Sequence, residues 1–286
     1  MEWFLFLPQI GVPVADIVER ARVAESVGFT GVAFTDHLLA PSGDRVPIWE
    51  AMTTATWVAA RTEGLRIGQL VLCDAFRHPA VLAKQAVTLQ EASGGRFELG
   101  LGTGSRPREL VRFGITNDRA AQRRERLERS LEMLTQCWGS EHVQSPQPST
   151  PIPLVLGGVG APMLALVREY ATWWNLWAPD LDRLPELRPA VGSARVSVQQ
   201  MVGLVGRGQS ADEVYRQSTR RFGDHVGNGL VCGDTEQLAA HFADLARGGV
   251  ERCYVWFTDF AAPETLAAFG ENVMPAVDAT AGTWSR

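Results

Sequence analysis

Lysine is almost missing from this chain. Lys84 is the single ammonium side chain among 286 residues, and the 27 basic residues are otherwise all arginine. Set against 32 acidic residues, they leave a net charge of −5. That balance excludes the basic face a nucleic-acid binder needs. Arginine in place of lysine favours ion pairs of fixed geometry and says nothing about function. Cysteine is also sparse. Cys73, Cys137, Cys232 and Cys253 lie far apart, which excludes a Cys-x-x-Cys pair and predicts reduced thiols in a cytoplasmic protein. No apolar run approaches the roughly 18 residues of a membrane span. The apolar start, Trp3 to Leu7, lacks a basic lead and stops at Pro8, so it predicts a buried first strand rather than a signal peptide. Metal-ligand spacing is missing too: His37, His78, His142, His225 and His241 are scattered. There is no Gly-x-Ser-x-Gly elbow, no phosphate-binding P-loop, no internal repeat and no low-complexity tract.

What remains is an apolar chain, 45% hydrophobic, in which strand-like and helix-like segments alternate from end to end. Strands are expected at 3–7, 31–35, 66–72, 96–101, 154–156, 173–177, 196–204 and 253–258. Helices are expected at 14–27, 49–61, 80–92, 119–138, 162–170, 210–222, 234–247 and 264–277. The helix over 119–138 places Leu127, Leu131, Leu134 and Trp138 on one stripe. Pro79 and Pro162 suit first helical turns, and Asp234 with Gln237 has capping-box spacing. Eight strands alternating with helices fit either a closed (β/α)8 barrel or an open doubly wound sheet. Strand number and a length near the usual ~250 residues favour the α/β TIM barrel, as one domain over 1–286.

Chemistry concentrates where strands end. Gly102-Thr103-Gly104-Ser105 follows the fourth expected strand, and Gly157-Gly158-Val159-Gly160 follows the fifth. Glycine there lets a ligand approach the backbone, and free N–H groups at a helix start hold anions. In a barrel, adjacent strands put both clusters on one rim, as two halves of a phosphate clamp. A dinucleotide fingerprint fits poorly, because Pro107 interrupts the required helix and the third glycine is missing. Arg106, Arg108 and Arg112 add local positive charge. Asp36 and His37 end the second strand, the catalytic position of a barrel, where His37 can serve as acid, base or hydrogen-bond partner.

Together these pieces resemble the luciferase-like flavin and deazaflavin oxidoreductases. The resemblance is carried by Asp36-His37-Leu38, Phe76-Arg77-His78-Pro79 with Ala83-Lys84, and Ser93-Gly94-Gly95-Arg96-Phe97 through Gly104. It continues with Pro153 to Gly158, Asn175 and Gly233-Asp234-Thr235. It implies a barrel that binds coenzyme F420 or FMN. Leu72, Cys73 and Asp74 would back the ring, where the family often has a bulge or a cis peptide. Asp36 would lie beside the cofactor. Thr103, Gly104, Gly157, Gly158 and Gly160 would hold the phosphate end, and His37 would stand at the reactive edge. Glu50, Ser105 and Glu109 are further proton-transfer candidates. Compactness and Gly102-Thr103-Gly104 look more like the deazaflavin branch. That branch implies hydride transfer with a small organic substrate, a homodimer and a cellular reductase system for the cofactor. An FMN-dependent monooxygenase using oxygen and a non-catalytic flavin-binding barrel remain as alternatives. Two departures stand out. Ser105 occupies the position where related dehydrogenases carry an acid. Trp173 replaces a family glycine, which predicts a narrowed barrel mouth.

Overall fold

The computed structural model describes residues 1–41, 43–139, 143–223 and 229–281; His142 and His225 therefore lie outside the described residues. Ten strands form one sheet: β1 (Glu2–Phe6), β2 (Gly31–Phe34), β3 (Arg66–Gln69), β4 (Leu72–Cys73), β5 (Leu99–Gly102), β6 (Leu154–Gly157), β7 (Trp173–Trp177), β8 (Arg195–Leu204), β9 (Leu230–Gly233) and β10 (Arg252–Phe257). Their order is β3-β2-β1-β10-β8-β7-β6-β5-β4, with β9 added to β8, and all ladders are parallel. The expected third strand is thus two pieces. A cis peptide at Leu70–Val71 separates them, so β3 pairs with β2 and β4 pairs with β5. The circuit closes where Ile67 bridges Phe97, with Ile67 N–H donating to Arg96 O and Glu98 N–H donating to Ile67 O, both at 2.9 Å. The fold is a TIM barrel.

The helices are α1 (Val14–Ser26), α2 (Ala51–Ala59), α3 (Pro79–Ala92), α4 (Pro107–Arg112), α5 (Ala120–Trp138), α6 (Ala161–Tyr170), α7 (Leu184–Leu187), α8 (Ala211–Phe222), α9 (Thr235–Arg247), α10 (Pro263–Ala268) and α11 (Met274–Ala281). Parallel barrel strands are buried on both faces and so read as unbroken apolar runs. Trp3 and Leu5 of β1 pack outward beneath the helices, while Phe4 and Phe6 fill the barrel interior with Leu70, Val155, Trp173 and Tyr254.

Three further expectations need correction. Pro107 does not stop a helix; it opens α4, because its missing N–H and fixed φ suit the first turn. A short strand, β9, escapes the pattern. Met201 and Val202 of β8 pair with both β9 and β10, so β9 lies on the β7 side, extending the wall above it. Trp173 does not narrow the mouth. It pairs with Arg195 at the amino-terminal foot of the barrel and lies 3.7 Å from the Arg252 guanidinium centre.

That guanidinium plugs the foot. Arg252 is fully buried. It donates to Glu98 at 2.6 and 3.1 Å, to Glu2 at 2.5 and 3.0 Å, and to the Tyr254 hydroxyl at 3.0 Å. The rings of Phe4 and Trp173 lie over it. Arg66 and Arg195 complete the network through Glu2, and Arg66 also pairs with Glu98. Burial pushes the Tyr254 phenol up to about 12.

Removing the plug leaves buried carboxylates short of partners, so Arg252→Met should cost about 3–5 kcal/mol in urea unfolding. Arg252→Met with Glu98→Met should lose less than the single variant; an equal or larger loss contradicts the unpaired-charge account. Burial alone would raise the Glu2 pKa, but Arg252, Arg66 and Arg195 hold it below 4.5. A depressed carboxylate contributes stability above its unfolded pKa and loses it as pH falls through the folded value. The Tm should therefore drop below about pH 4.5, and Glu2→Gln should start lower at pH 7 and fall less steeply in acid.

Candidate active site

A cavity of about 640 Å³ opens at the carboxyl ends of the strands, the ligand end of such barrels. Both glycine clusters reach it, through Gly102, Thr103, Gly104 and Ser105 after β5 and through Gly157 and Gly158 at the end of β6. His37 and Asp36 line it from the loop after β2, and Leu72 and Cys73 from β4.

His37 is held from behind. Glu109, buried on α4, lies with Oε2 3.0 Å from His37 Nδ1, and its Oε1 accepts the amides of Leu38 at 2.6 Å and Leu39 at 2.7 Å. Two of those donors are backbone N–H groups, so the carboxylate acts as acceptor and the third bond assigns a hydrogen to Nδ1. Nε2 has no hydrogen-bond partner among the described residues. Glu109 also lines the cavity.

Asp36 makes a different kind of contact. Its carboxylate accepts both Arg77 nitrogens, at 2.7 and 3.0 Å, and the Cys73 amide at 2.8 Å. Its oxygens are engaged in joining the end of β2 to β4. Arg77 also pairs with Glu50, which caps α2 by accepting the Thr53 amide at 2.6 Å. Burial would raise the Glu50 pKa, but the Thr53 amide and Arg77 keep it low; Glu50 does not line the cavity. Asp74 also faces elsewhere, into a recess shared with Arg126, Arg129 and Ser130. There burial raises its pKa against the pull of Ser130 and the two arginines. Burial likewise pushes the Cys73 thiol up to about 11, with Asp36, Asp74 and Glu109 adding repulsion. Asn175 lies below the cavity, accepting the Ser197 hydroxyl at 3.2 Å.

The glycines within and just after β5 answer first to packing. A Cβ on Gly100 would stand 1.9 Å from Gln69 O, one on Gly102 2.6 Å from Val71 Cγ2, and one on Gly104 2.7 Å from Cys73 Sγ. Val71 packs directly against β5, and only glycine fits beneath it. Ligand access follows from the same bareness. The amides of Gly104, Ser105, Val159 and Gly160 find no acceptor among the described residues, and Gly158 takes φ +113° above Met163. Gly160 is the N-cap of α6 and sits just outside the lining. Arg106 brings positive charge to this side, tethered to Leu39 O at 3.3 Å.

Sequence reading missed the far wall. Trp177 ends β7, Trp256 lies near the end of β10, and Phe222 and Phe260 follow from α8 and the loop after β10. Their position at strand ends was the available clue. Nothing in Phe76-Arg77-His78-Pro79 marks Arg77 as a tether, because its partners Asp36 and Glu50 are distant in sequence.

A TIM barrel with an anion-ready rim and a tethered histidine at its ligand end defines the class. The family model described as luciferase-like monooxygenase matches residues 4–200, and the chain belongs to that family. An "F420-dependent glucose-6-phosphate dehydrogenase" of Amycolatopsis mediterranei (strain U-32) is 32% identical over 166 residues, covering 52% of this chain and 49% of the relative. The chain thus spans about half the length of that relative. "Pyrimidine monooxygenase RutA" of Escherichia coli (strain SE11) is 23% identical over 270 residues, covering 88% of this chain and 63% of the relative. A solved F420-dependent secondary alcohol dehydrogenase in complex with an F420-acetone adduct shares the fold, with a TM-score of 0.79 at 17% identity over 96% of this chain and 98% of that one.

The packing account of the rim predicts a rescue. Gly102→Ala should destabilise by about 1–3 kcal/mol through overpacking. Adding Val71→Ala removes the atom the new methyl meets and should recover part of that loss in a double-mutant cycle. Purely additive losses would show that Val71 is not what requires glycine at this position.

Proposed function

We propose that this protein is an oxidoreductase that uses coenzyme F420 for hydride transfer to or from a small organic substrate. The observation that carries this reading is one cavity holding two functions apart: bare backbone amides at the glycine rims, and a histidine whose Nδ1 is fixed by Glu109. The residues present fit a phosphate-bearing ring cofactor. Gly158, with φ +113°, and Gly157 leave the β6 rim open. The unpartnered amides supply donors to an anion, and Thr103 and Ser105 add hydroxyls.

When bound, coenzyme F420 would supply the hydride acceptor or donor. Gly104, Gly157, Gly158 and Thr103 would hold its phosphate end, with Gly160 presenting the first turn of α6. Leu72 and Cys73 would back the ring; the Cys73 thiol is kept protonated by burial and acts as an apolar surface. His37 Nε2 would exchange a proton with the substrate oxygen, and Glu109 would stabilise the imidazolium while that proton resides there. Asp36 and Glu50 act through Arg77, keeping the β2 loop against β4. Ser105, exposed at the rim, is assigned to anion binding.

A second reading, an FMN-dependent monooxygenase using oxygen, is favoured by the similarity to the pyrimidine monooxygenase over 88% of this chain. The hydride reading also carries a cytoplasmic setting, supported by four free cysteines. A reductase system for the cofactor belongs to the same reading. A homodimer is supported by exposed Leu38, Val111 and Phe113 beside the cavity.

Titration with coenzyme F420 and with FMN, followed through quenching of the nine tryptophans, separates these readings. Tight F420 binding and weak FMN binding are expected; the reverse overturns the proposal, and cofactor binding without turnover supports a non-catalytic barrel. His37→Ala should leave F420 affinity within a few-fold and cut turnover by about 10²–10⁴. Unchanged turnover removes His37 from the mechanism.

A further inference from the structure

Across the barrel from the glycine rims, the cavity wall is aromatic. Trp256 is its centre. Its ring lies 5.3 Å from Phe6, 5.3 Å from Phe222 and 6.3 Å from Trp177. Phe260 extends the wall, 5.7 Å from Phe222. These rings come from β1, β7, β10, α8 and the loop after β10, so the surface is assembled by the fold and not by one segment. Phe260 is fixed in a conformation that non-glycine residues rarely adopt, φ +64°, with Ala261 following at +60°. Asp259 braces this turn by accepting the Ala261 amide at 3.0 Å and the Thr265 hydroxyl at 2.5 Å. Such a conformation persists only where the surroundings impose it.

Polar groups on this wall are few. Gln199 lines the cavity with no side-chain hydrogen bond among the described residues. Trp256 Nε1 is buried without a partner among the described residues. Arg221 donates to Thr258 O at 2.5 Å and lies 5.2 Å above the Phe260 ring. No carboxylate pairs with it among the described residues. It is a cation at the edge of an apolar surface, and Thr258 O is the one hydrogen-bond acceptor it meets among the described residues.

We infer that the substrate side of this cavity takes a flat, largely apolar ring compound bearing a carboxylate, with the ring against Trp256 and its neighbours and the carboxylate on Arg221. The inference rests on the hydride-transfer reading for the use of the site, though not for its ligand chemistry. A sugar phosphate suits the wall poorly. Each buried hydroxyl needs a partner or costs free energy, and Arg221, Gln199 and Trp256 Nε1 cannot satisfy a polyhydroxylated ring. Stacking needs only a π-face, and a guanidinium binds a carboxylate through paired donors.

Calorimetry with 2-naphthoate, its neutral analogue 2-naphthamide, and glucose 6-phosphate tests this, using the whole chain with and without saturating coenzyme F420. Naphthoate is expected to bind at least about tenfold tighter than naphthamide, a preference worth about 1.4 kcal/mol. Arg221→Gln, an exposed position, should abolish that preference, and Arg221→Lys should keep part of it. Trp256→Leu should weaken both naphthyl compounds. Equal binding of naphthoate and naphthamide, a preference that survives Arg221→Gln, or tighter binding of glucose 6-phosphate overturns the inference. If F420 fails to bind while the Arg221-dependent preference holds, the ligand assignment stands and the hydride reading falls. If F420 binds and the preference is missing, the assignment falls alone.

Discussion

A parallel barrel has to fill its own axis, and here the lower layer is filled by a guanidinium. Arg252 sits between Phe4 and Trp173 and is hydrogen-bonded to Glu2 and Glu98. Burial works against its charge, but Tyr254, Glu98 and Glu2 raise its pKa instead. A buried ion pair is weak evidence of net stability, since desolvation offsets much of the Coulomb gain. What it does enforce is geometry. Glu2 belongs to β1, Arg252 to β10, Arg66 to β3 and Arg195 to β8, while Glu98 immediately precedes β5. One misregistered strand would leave a charge unpaired in the interior. The foot is thereby closed, and the open volume is displaced to the carboxyl end.

The same device recurs at the mouth on a smaller scale. Asp36 and Arg77 bind in a paired geometry that joins the end of β2 to the start of α3. Glu109 ties α4 to the loop carrying His37. Most buried charges here are consumed in holding elements together. Asp36 already accepts three hydrogen bonds, so little of it is left to meet a ligand. His37 differs because only one of its two nitrogens is committed. Catalytic potential is read from unspent hydrogen-bonding capacity more reliably than from residue type.

The barrel itself was legible in the sequence because the information is local. Apolar runs such as Trp3–Leu7 and the stripe on α5 declare their periods without reference to the rest of the chain. Features that depended on distant packing were not legible. Gly102-Thr103-Gly104 read as a site of ligand approach, yet Val71 and Cys73 are what forbid a side chain there, and nothing local to β5 announces them. Trp173 read as a mouth residue because it stands where the resembled family has glycine in the motif ending at Asn175. Its pairing with Arg195 puts it at the foot. The four-residue run Leu230–Gly233 lies between the helices expected at 210–222 and 234–247; it is too short to declare a strand period, so β9 went unread. The place of His37 at the cavity was legible because it follows the end of a strand, whereas the hold of Glu109 on its ring required the fold.

Family likeness and substrate choice draw on different parts of the chain. The luciferase-like match covers residues 4–200, which contain His37, Glu109 and both glycine clusters. Arg221, Phe222, Trp256 and Phe260 all lie beyond it. On the proposed reading, the matched part builds the cofactor side of the cavity and the remainder builds most of the wall a substrate would meet. A relative's substrate therefore transfers less readily than its cofactor, since the residues that would discriminate ligands are supplied by a segment the match does not reach. The aromatic wall, with Arg221 at its edge, is the physical evidence that bears on the question.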